Sequence, residues 1–400
     1  MHQKLIMGIK LLVFDSHPVQ YRVPIWKAME QISPGSVHVV YASDCSVRGH
    51  TDEGFGLTFA WDEPMLTGYE NTILNCENGV PLSGWGSITG KGVSDAIEKI
   101  KPSAILLTGL NYRFDLVAYL RGRAGGIPVW LRCETQDDAV SRSKSKSVIR
   151  SLIYKAAYVG FSRIFFIGEL NKIHYLKNGV SPSTLKPARY GTIDRFSEMS
   201  EADKLKLRNE ARLKAGISVN GFTVGFSGKL INKKNPEILF NMLKYLPAKL
   251  LNNTYLYFLG SGPLEDDLKK LADDVLKQYN VKCFFAGFVN QSQLAAHYLA
   301  MDVMVLPSRK MGETWGLVVN EAMQAGCSVA VSDAVGCGAD FKNWERFRVF
   351  EVGNEKDLAD NINNLSKFPT DFNWAKQNLK SYSIQATAEA FINELNSTGR

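Results

Sequence analysis

Short runs of consecutive apolar residues bounded by turn residues alternate along this chain with longer stretches whose apolar positions recur every three to four residues. The first pattern predicts strands and the second predicts helices. Strands are expected at Leu11–Phe14, Val37–Tyr41, Ala104–Thr108, Pro128–Arg132 and Arg163–Ile167, with helices such as Pro24–Gln31 and Gly92–Ile100 between them. A second series follows at Thr223–Gly228, Thr254–Leu259, Val281–Ala286, Val303–Pro307, Ser328–Ser332 and Arg348–Glu351. Its helices include Pro236–Leu246, Leu264–Tyr279, Gln291–Ala300 and Leu317–Ala325. The strands are nearly continuous apolar runs, which reads as parallel strands covered on both faces. Strand and helix alternate twice over, so the expected fold class is α/β, with two doubly wound Rossmann-like domains facing across a cleft.

Residues 195–216 are polar and charged, with no strand signal before Phe222, and place the boundary near 195. One domain is then expected over 1–194 and a second over 195–378, with helical spacing again from Trp374 to Leu395. The length of 400 residues agrees, because single cores stop growing near ~250–300 residues.

Composition removes several classes of function. With 45% apolar, 22% charged and 11% aromatic residues the chain is not a disordered one. A net charge of +7 is too mild for a dedicated nucleic-acid binder. The six cysteines (Cys45, Cys76, Cys133, Cys283, Cys327 and Cys337) form no CxxC pair and no Cys/His cluster at zinc spacing. They read as small buried thiols in a reducing compartment, and no metal site is expected. No stretch approaches the ~18 apolar residues of a membrane span. The opening KLIMGIKLLVFDSHP is broken by Lys10 and lacks a small-x-small cleavage site, so it reads as a first buried strand and not a signal peptide. A cytoplasmic protein, at most resting on the inner face of a membrane, is the expectation.

Candidate chemistry follows the strand ends. In PSRKMGETWGLVVNEAMQAG (307–326), Gly312 and Gly316 bracket Glu313 before a helix that stops at Gly326. The first-turn amides of Trp315, Gly316 and Leu317 lack partners inside the helix and suit an anion. Glu321 lies one turn further on, and an ionised carboxylate accepts from vicinal hydroxyls. Two carboxylates flanking an amide nest suit a ligand with hydroxyls at both ends and phosphates between, which is the build of a nucleotide sugar; a solvated acidic pair at a helix start is the plainer reading. In GFSGKLINKKNPEIL (225–239) a strand ends at Gly228, and Lys229 and Lys234 are placed to neutralise a departing phosphate, a role magnesium fills elsewhere. Lys233 reads as solvated. LGSGP (259–263), with Gly260 and Gly262, and FAGFV (285–289), with Phe288, are further glycine-bearing strand ends in the same domain.

The run ETWGLVVNEAMQAGCSVAVSDAVGCGADF resembles the E-x7-E region of retaining family 4 glycosyltransferases, which have the GT-B fold, with Glu313 and Glu321 as its glutamates. GKLINKK is similar to that family's G-[RK]-L-x-x-x-K element, LGSGP and F-x-G-F-V to its nucleotide-side loops, and SHPVQYRVPIW (16–26) to its first loop and helix. The resemblance implies a nucleotide-diphosphate-sugar donor, UDP- or GDP-linked, bound by the C-terminal domain without a metal or other cofactor. Glu321 would hold the ribose and Glu313 the transferred sugar, while Lys229, Lys234 and the amides near Thr314, Trp315, Gly316 and Leu317 would hold the diphosphate. It further implies retention of anomeric configuration, and a last helix, from about 379, that packs back on the N-terminal domain. The acceptor, a saccharide or lipid-linked glycan of a surface polysaccharide, is expected on that N-terminal domain. Two alternatives stay open: another GT-B activity, such as a sugar-nucleotide epimerase or phosphorylase, and a non-catalytic nucleotide-sugar-binding protein.

The acceptor side carries weaker signals. His17 follows the first strand, and as a turn histidine or a ligand contact it fits equally well. Many family members place a histidine after the fourth or fifth strand, where this chain has LRCETQDD, so Arg132 and Glu134 are the candidates there. Residues 139–168 contain six basic side chains and no acidic one (Arg142, Lys144, Lys146, Arg150, Lys155 and Arg163), interleaved with Val148, Ile149, Leu152, Ile153 and Tyr154. That composition suits a basic amphipathic helix facing an anionic membrane or a lipid-diphosphate acceptor.

Overall fold

The first strand, LLVFD, is buried at every position, as a strand covered by helices on both faces must be. The structure is a computed structural model that describes residues 10–48, 50–52, 57–59, 63–78 and 82–398. Strands of the N-terminal half are β1 (Leu11–Asp15), β2 (Val37–Tyr41), β3 (His50–Asp52), β4 (Leu57–Phe59), β5 (Glu70–Ile73), β6 (Ala104–Leu107), β7 (Val129–Leu131), β8 (Arg163–Phe166) and β9 (Leu185–Pro187). Those of the C-terminal half are β10 (Phe222–Ser227), β11 (Thr254–Leu259), β12 (Lys282–Gly287), β13 (Val303–Leu306), β14 (Ser328–Ser332) and β15 (Phe347–Phe350). A seven-stranded parallel sheet has the order β5-β2-β1-β6-β7-β8-β9, and a six-stranded parallel sheet has the order β12-β11-β10-β13-β14-β15. Two doubly wound α/β domains result, as the alternation of strands and helices predicts.

In both sheets the order reverses beside the first strand, between β1 and β6 and between β10 and β13. Ligands of open α/β sheets bind outside the carboxyl ends of the strands at such reversals. Ser16, His17 and Thr108 therefore line one crevice, and Ser227 and Gly228 line the other.

Expected and observed strands agree within a residue or two, and the unforeseen ones lie at edges. β5 (ENTI) is polar and at most half-buried, and β9 is three residues long and ends in Pro187. The β3–β4 pair is a separate antiparallel hairpin. The helix expected over Pro236–Leu246 is instead one α turn, Ile238–Asn241, followed by a 3-10 turn, Met242–Tyr245. Asn235, held at a positive φ of 52°, starts the segment late.

The polar stretch around 201–214 is a helix of the C-terminal domain. Its Arg208 and Arg212 are buried and both pair with Asp302. The closing helix, Ile384–Thr398, packs on the N-terminal domain. Phe391 stacks on Trp26 with ring centroids 6.0 Å apart and meets Phe165 edge-on at 4.7 Å. Burying a phenylalanine of this kind contributes about 1.5–3 kcal/mol. Among the described residues no helix is long and apolar enough to cross a membrane.

Candidate active site

The C-terminal wall of the cleft is built from glycine-bearing strand ends that interlock. Gly228 N–H donates to the Leu259 carbonyl and Gly260 N–H to the Gly287 carbonyl, both at 2.9 Å. Gly260 has φ 133°, and a Cβ there would lie 1.9 Å from the Gly228 carbonyl oxygen. Only glycine lets the two loops cross. Gly260→Ala is therefore expected to destabilise the protein by about 1–3 kcal/mol, as overpacking does, which a lowered melting temperature will show. Ser227, Gly228, Leu259, Gly260 and Phe288 line a cavity of about 180 Å³ together with Leu317, Tyr298 and Glu321. Gly262 and Lys229 do not line it; a Cβ on Gly262 would meet the Leu230 carbonyl at 2.6 Å.

The loop after β13 carries Glu313, which is buried and ion-paired with Lys234. Ser308 Oγ donates to the same carboxylate at 3.1 Å. Lys233 is not simply solvated, because its Nζ donates to the Gly312 carbonyl at 3.1 Å and so ties the lysine turn to the glutamate loop. Gly316, at φ 102°, caps helix Leu317–Gln324 and lets the chain turn beneath Leu306, which a Cβ would approach to 2.7 Å. Leu317 faces the cavity, while the Trp315 ring is buried and donates from Nε1 to Asn320 at 2.9 Å. The Trp315 side chain is thus a core element stacked on Tyr382, and only its backbone remains for a ligand.

Glu321 projects into the cavity from the first turns of that helix. Its Oε2 accepts from Tyr298 Oη at 2.6 Å, and Tyr298 Oη lies 2.9 Å from Ser227 Oγ. Burial pushes the Glu321 carboxyl above its ordinary value, while the Tyr298 hydrogen bond and the nearby Arg195 charge oppose the rise. Arg195 itself bridges the domains, pairing with Glu63 at 2.7 Å and reaching Gln291 at 3.3 Å.

The N-terminal wall holds a second cavity, of about 500 Å³, that includes His17, Glu134 and, from the opposite domain, Gly312 and Thr314. His17 Nδ1 lies 3.0 Å from Ser16 Oγ. The Glu134 carboxylate accepts from Tyr190, from Tyr21 at 3.3 Å and from Thr314 at 3.4 Å. Asp115 caps helix Arg113–Ala124 by accepting from the Asn111 and Tyr112 amides at 2.9 Å each, and burial lifts its carboxyl to about 6. Arg132 corrects an expectation. Its guanidinium is buried, donates to the Ala188 carbonyl and stacks on Tyr190, so it faces away from the cavity and makes no pair with Glu134. Arg132 and Glu134 are two residues apart and would share a face in an unbroken strand, but β7 ends at Leu131, so the two need not point the same way.

Tyr21 lines both cavities, so the two are neighbours across one ring. The structure therefore gathers Gly228, Gly260, Glu321, Phe288 and Leu317 on one cavity and His17 and Glu134 on the other, while the Glu313–Lys234 pair lines neither and sits on the adjoining loops. Residues 208–382 match the family of glycosyl transferases group 1.

Relatives agree in kind. The chain is 28% identical over 166 residues to an uncharacterized glycosyltransferase of Methanocaldococcus jannaschii, covering 42% of this chain and 37% of that protein. It is 33% identical over 109 residues to the sulfoquinovosyl transferase of Arabidopsis thaliana, covering 27% of this chain and 19% of that one. The matched segments thus span well under half of those relatives. Among solved structures, Anabaena HepE in complex with UDP and glucose superposes with a TM-score of 0.67 at 16% identity, covering 98% of this chain and 100% of that one. The glycosyltransferase WaaG, involved in lipopolysaccharide biosynthesis, gives 0.59 at 13%, covering 97% and 99%. These likenesses establish the GT-B fold.

Tyr21, Tyr298 and Arg195 were not singled out from the sequence. Tyr21 lies inside the quoted run SHPVQYRVPIW, whereas Tyr298 and Arg195 carry no motif and reach the site only through tertiary packing. Among the described residues no group of three or more His, Cys, Asp and Glu side chains is arranged to hold a metal ion. Cys76, Cys133, Cys327 and Cys337 are buried, and Cys45 and Cys283 are partly exposed.

Proposed function

We propose that this protein transfers a sugar from a nucleotide-diphosphate-sugar donor to a glycan or lipid-linked acceptor, with retention of anomeric configuration and without a metal ion. The observation that carries the reading is the placement of Glu321 and the Gly228–Gly260 crossing on one small cavity, with the Lys234–Glu313 pair on the adjoining loops. In this reading Glu321 accepts from the ribose hydroxyls, and the first amides of helix Leu317–Gln324 and Lys234 meet the diphosphate. Glu313 meets the transferred sugar, and Lys229 adds charge at the leaving phosphate. A cation about 4 Å from a phosphate oxygen at an effective dielectric near 20 is worth of order 4 kcal/mol before desolvation, enough to assist departure. The leaving phosphate accepts the acceptor's proton, so no separate base is required. His17 and Glu134 line the neighbouring cavity, where the acceptor sits.

Both donor bases have support among relatives. One is named as GDP-mannose-dependent, and HepE was solved with UDP-glucose. A panel of nucleotide sugars scored by melting temperature tests the reading. A true donor at about 100 times its dissociation constant should stabilise the fold by about 2.7 kcal/mol. No response to any UDP- or GDP-sugar would contradict it. Nucleotide release without acceptor would indicate an epimerase, and phosphate dependence a phosphorylase.

Peripheral attachment to an anionic membrane belongs to the same proposal. Helix Lys144–Ala157 has no buried residue, and the basic side chains around it are unopposed by acidic neighbours in sequence. Removing Arg142, Lys144 and Lys146 together is expected to weaken co-sedimentation with anionic vesicles by about 1 kcal/mol per charge. Unchanged sedimentation would argue for a solvated helix.

A further inference from the structure

Helix Glu201–Lys214 buries three basic side chains, Lys204, Arg208 and Arg212, at intervals of four residues along one face. Arg208 and Arg212 share the Asp302 carboxylate. Lys204 has no such partner: among the described residues it forms no ion pair. Burial, and then the charge of Lys376, hold its ammonium below its ordinary value, while the more weakly felt Asp194 and Glu201 oppose the shift. The first turn of the helix adds a cost of its own, because the dipole there disfavours a cation. Lysine is almost never so fully buried without a partner, and Lys204 is 4% exposed.

Lys204 lines a third cavity, of about 410 Å³, that shares no lining residue with the two cavities of the cleft. It lies where the chain passes from the N-terminal domain to the C-terminal one and where it returns to the closing helix Ile384–Thr398. Its size falls in the ~300–1,000 Å³ range of small-molecule sites. Lys376 and Lys380, four residues apart and both exposed, line it as well. Two carboxylates stand among the lining residues, and each is engaged by a neutral donor. Asp194 Oδ1 accepts from the Phe196 amide at 2.9 Å, and Glu389 Oε1 accepts from Gln385 at 2.8 Å. Glu201, close to Lys204, accepts from Asn373 at 2.6 Å. Among the described residues none of these carboxylates forms an ion pair with a lysine of the cavity. Three ammonium groups thus border one cavity, the innermost of them buried and without a counter-ion.

We propose that this cavity is a binding site for a phosphoryl group, free or carried on a small molecule, with Lys204 beneath it and Lys376 and Lys380 at its entrance. A phosphoryl group carries a charge of about −1.5 to −2 at neutral pH and three strong acceptor oxygens, so it can answer several ammonium donors at once. A carboxylate brings one charge and two oxygens. The ligand would lie against both segments that link the domains, outside the cleft, and the site stands independently of the transferase reading.

Inorganic phosphate and glucose 6-phosphate are the probes, titrated calorimetrically into the full chain, with sodium chloride at matched ionic strength as the blank. Saturable binding of at least one of them is expected, and the tighter of the two tells a free ion from an ester. Lys204→Met keeps the bulk of the side chain and should weaken that binding by about 10–100-fold, the value of a hydrogen bond to a charged group. Lys376→Ala, at an exposed position, should weaken it too. In chloride alone Lys204→Met should melt no lower than the wild type, because it removes an unpaired buried charge. The rise in melting temperature that phosphate gives the wild type should disappear in this variant. The combination Lys234→Met with Glu313→Gln, which alters the donor side, should leave the binding in place. Neither probe binding, unchanged binding by Lys204→Met, or binding lost only in the donor-side combination would each overturn the proposal. A Lys204→Met protein that melts well below the wild type in chloride would mark Lys204 as a structural cation and overturn it as well.

Discussion

Replacing Lys234 with alanine should lower turnover by about 10²–10³-fold, the usual cost of removing one charge-stabilising donor from a reacting site. Two effects will be mixed in that variant. Lys234 and Glu313 have side chains only 16% and 11% exposed, so deleting the lysine leaves a carboxylate buried without its partner. Breaking such a pair costs about 3–5 kcal/mol of stability, and the melting temperature should fall as well. The combination Lys234→Met with Glu313→Gln removes both charges, keeps similar volumes and should recover most of the stability. Turnover should stay low, because neither the cation for the phosphate nor the carboxylate for the sugar is restored. Stable protein with wild-type kinetics would remove Lys234 and Glu313 from the reaction altogether.

Glu321→Gln is expected to weaken nucleotide binding by about 10–100-fold, since hydrogen bonds to a charged acceptor are worth about 1.5–3 kcal/mol. The amide keeps the shape and the contact with Tyr298, so stability should change little. The pH dependence has a definite sign. Burial raises the Glu321 carboxyl, and ribose hydroxyls need its ionised form, so wild-type affinity should fall as pH drops through that raised value. The glutamine variant should lack this component. In the empty protein the sign reverses. Folded Glu321 binds its proton more tightly than the unfolded chain does, so its stabilising contribution is present at low pH and is lost as pH rises through the folded value.

What was legible in the sequence divides along physical lines. The buried strands announce themselves because a parallel strand covered on both faces must be apolar throughout, as in LLVFD and SVAVS. The edge strand ENTI needs no such run and stays silent. Glycines at strand ends were readable because loops that cross closely leave no room for a Cβ, which at Gly260 would lie 1.9 Å from the Gly228 carbonyl oxygen. Side-chain direction was not readable. Arg132 and Glu134 are two residues apart after the same strand, yet one is locked on Ala188 and the other opens to the cleft. Trp315 likewise sits in a ligand motif while its ring serves the core. The helix Pro236–Leu246 failed because a left-handed Asn235 delays its start and its second half tightens into a 3-10 turn, which apolar spacing does not encode.

The central claim is that Glu321 holds the sugar-side hydroxyls of a nucleotide in this cleft. It is tested most directly by a cycle that alters protein and ligand in turn. Dissociation constants are measured for a nucleoside diphosphate and its 2′,3′-dideoxy analogue, each against the wild type and Glu321→Gln. If the carboxylate and the hydroxyls touch, the second change costs little once the first is made, and the coupling should exceed about 1 kcal/mol. Strictly additive losses, or no binding of either nucleotide, would contradict the account.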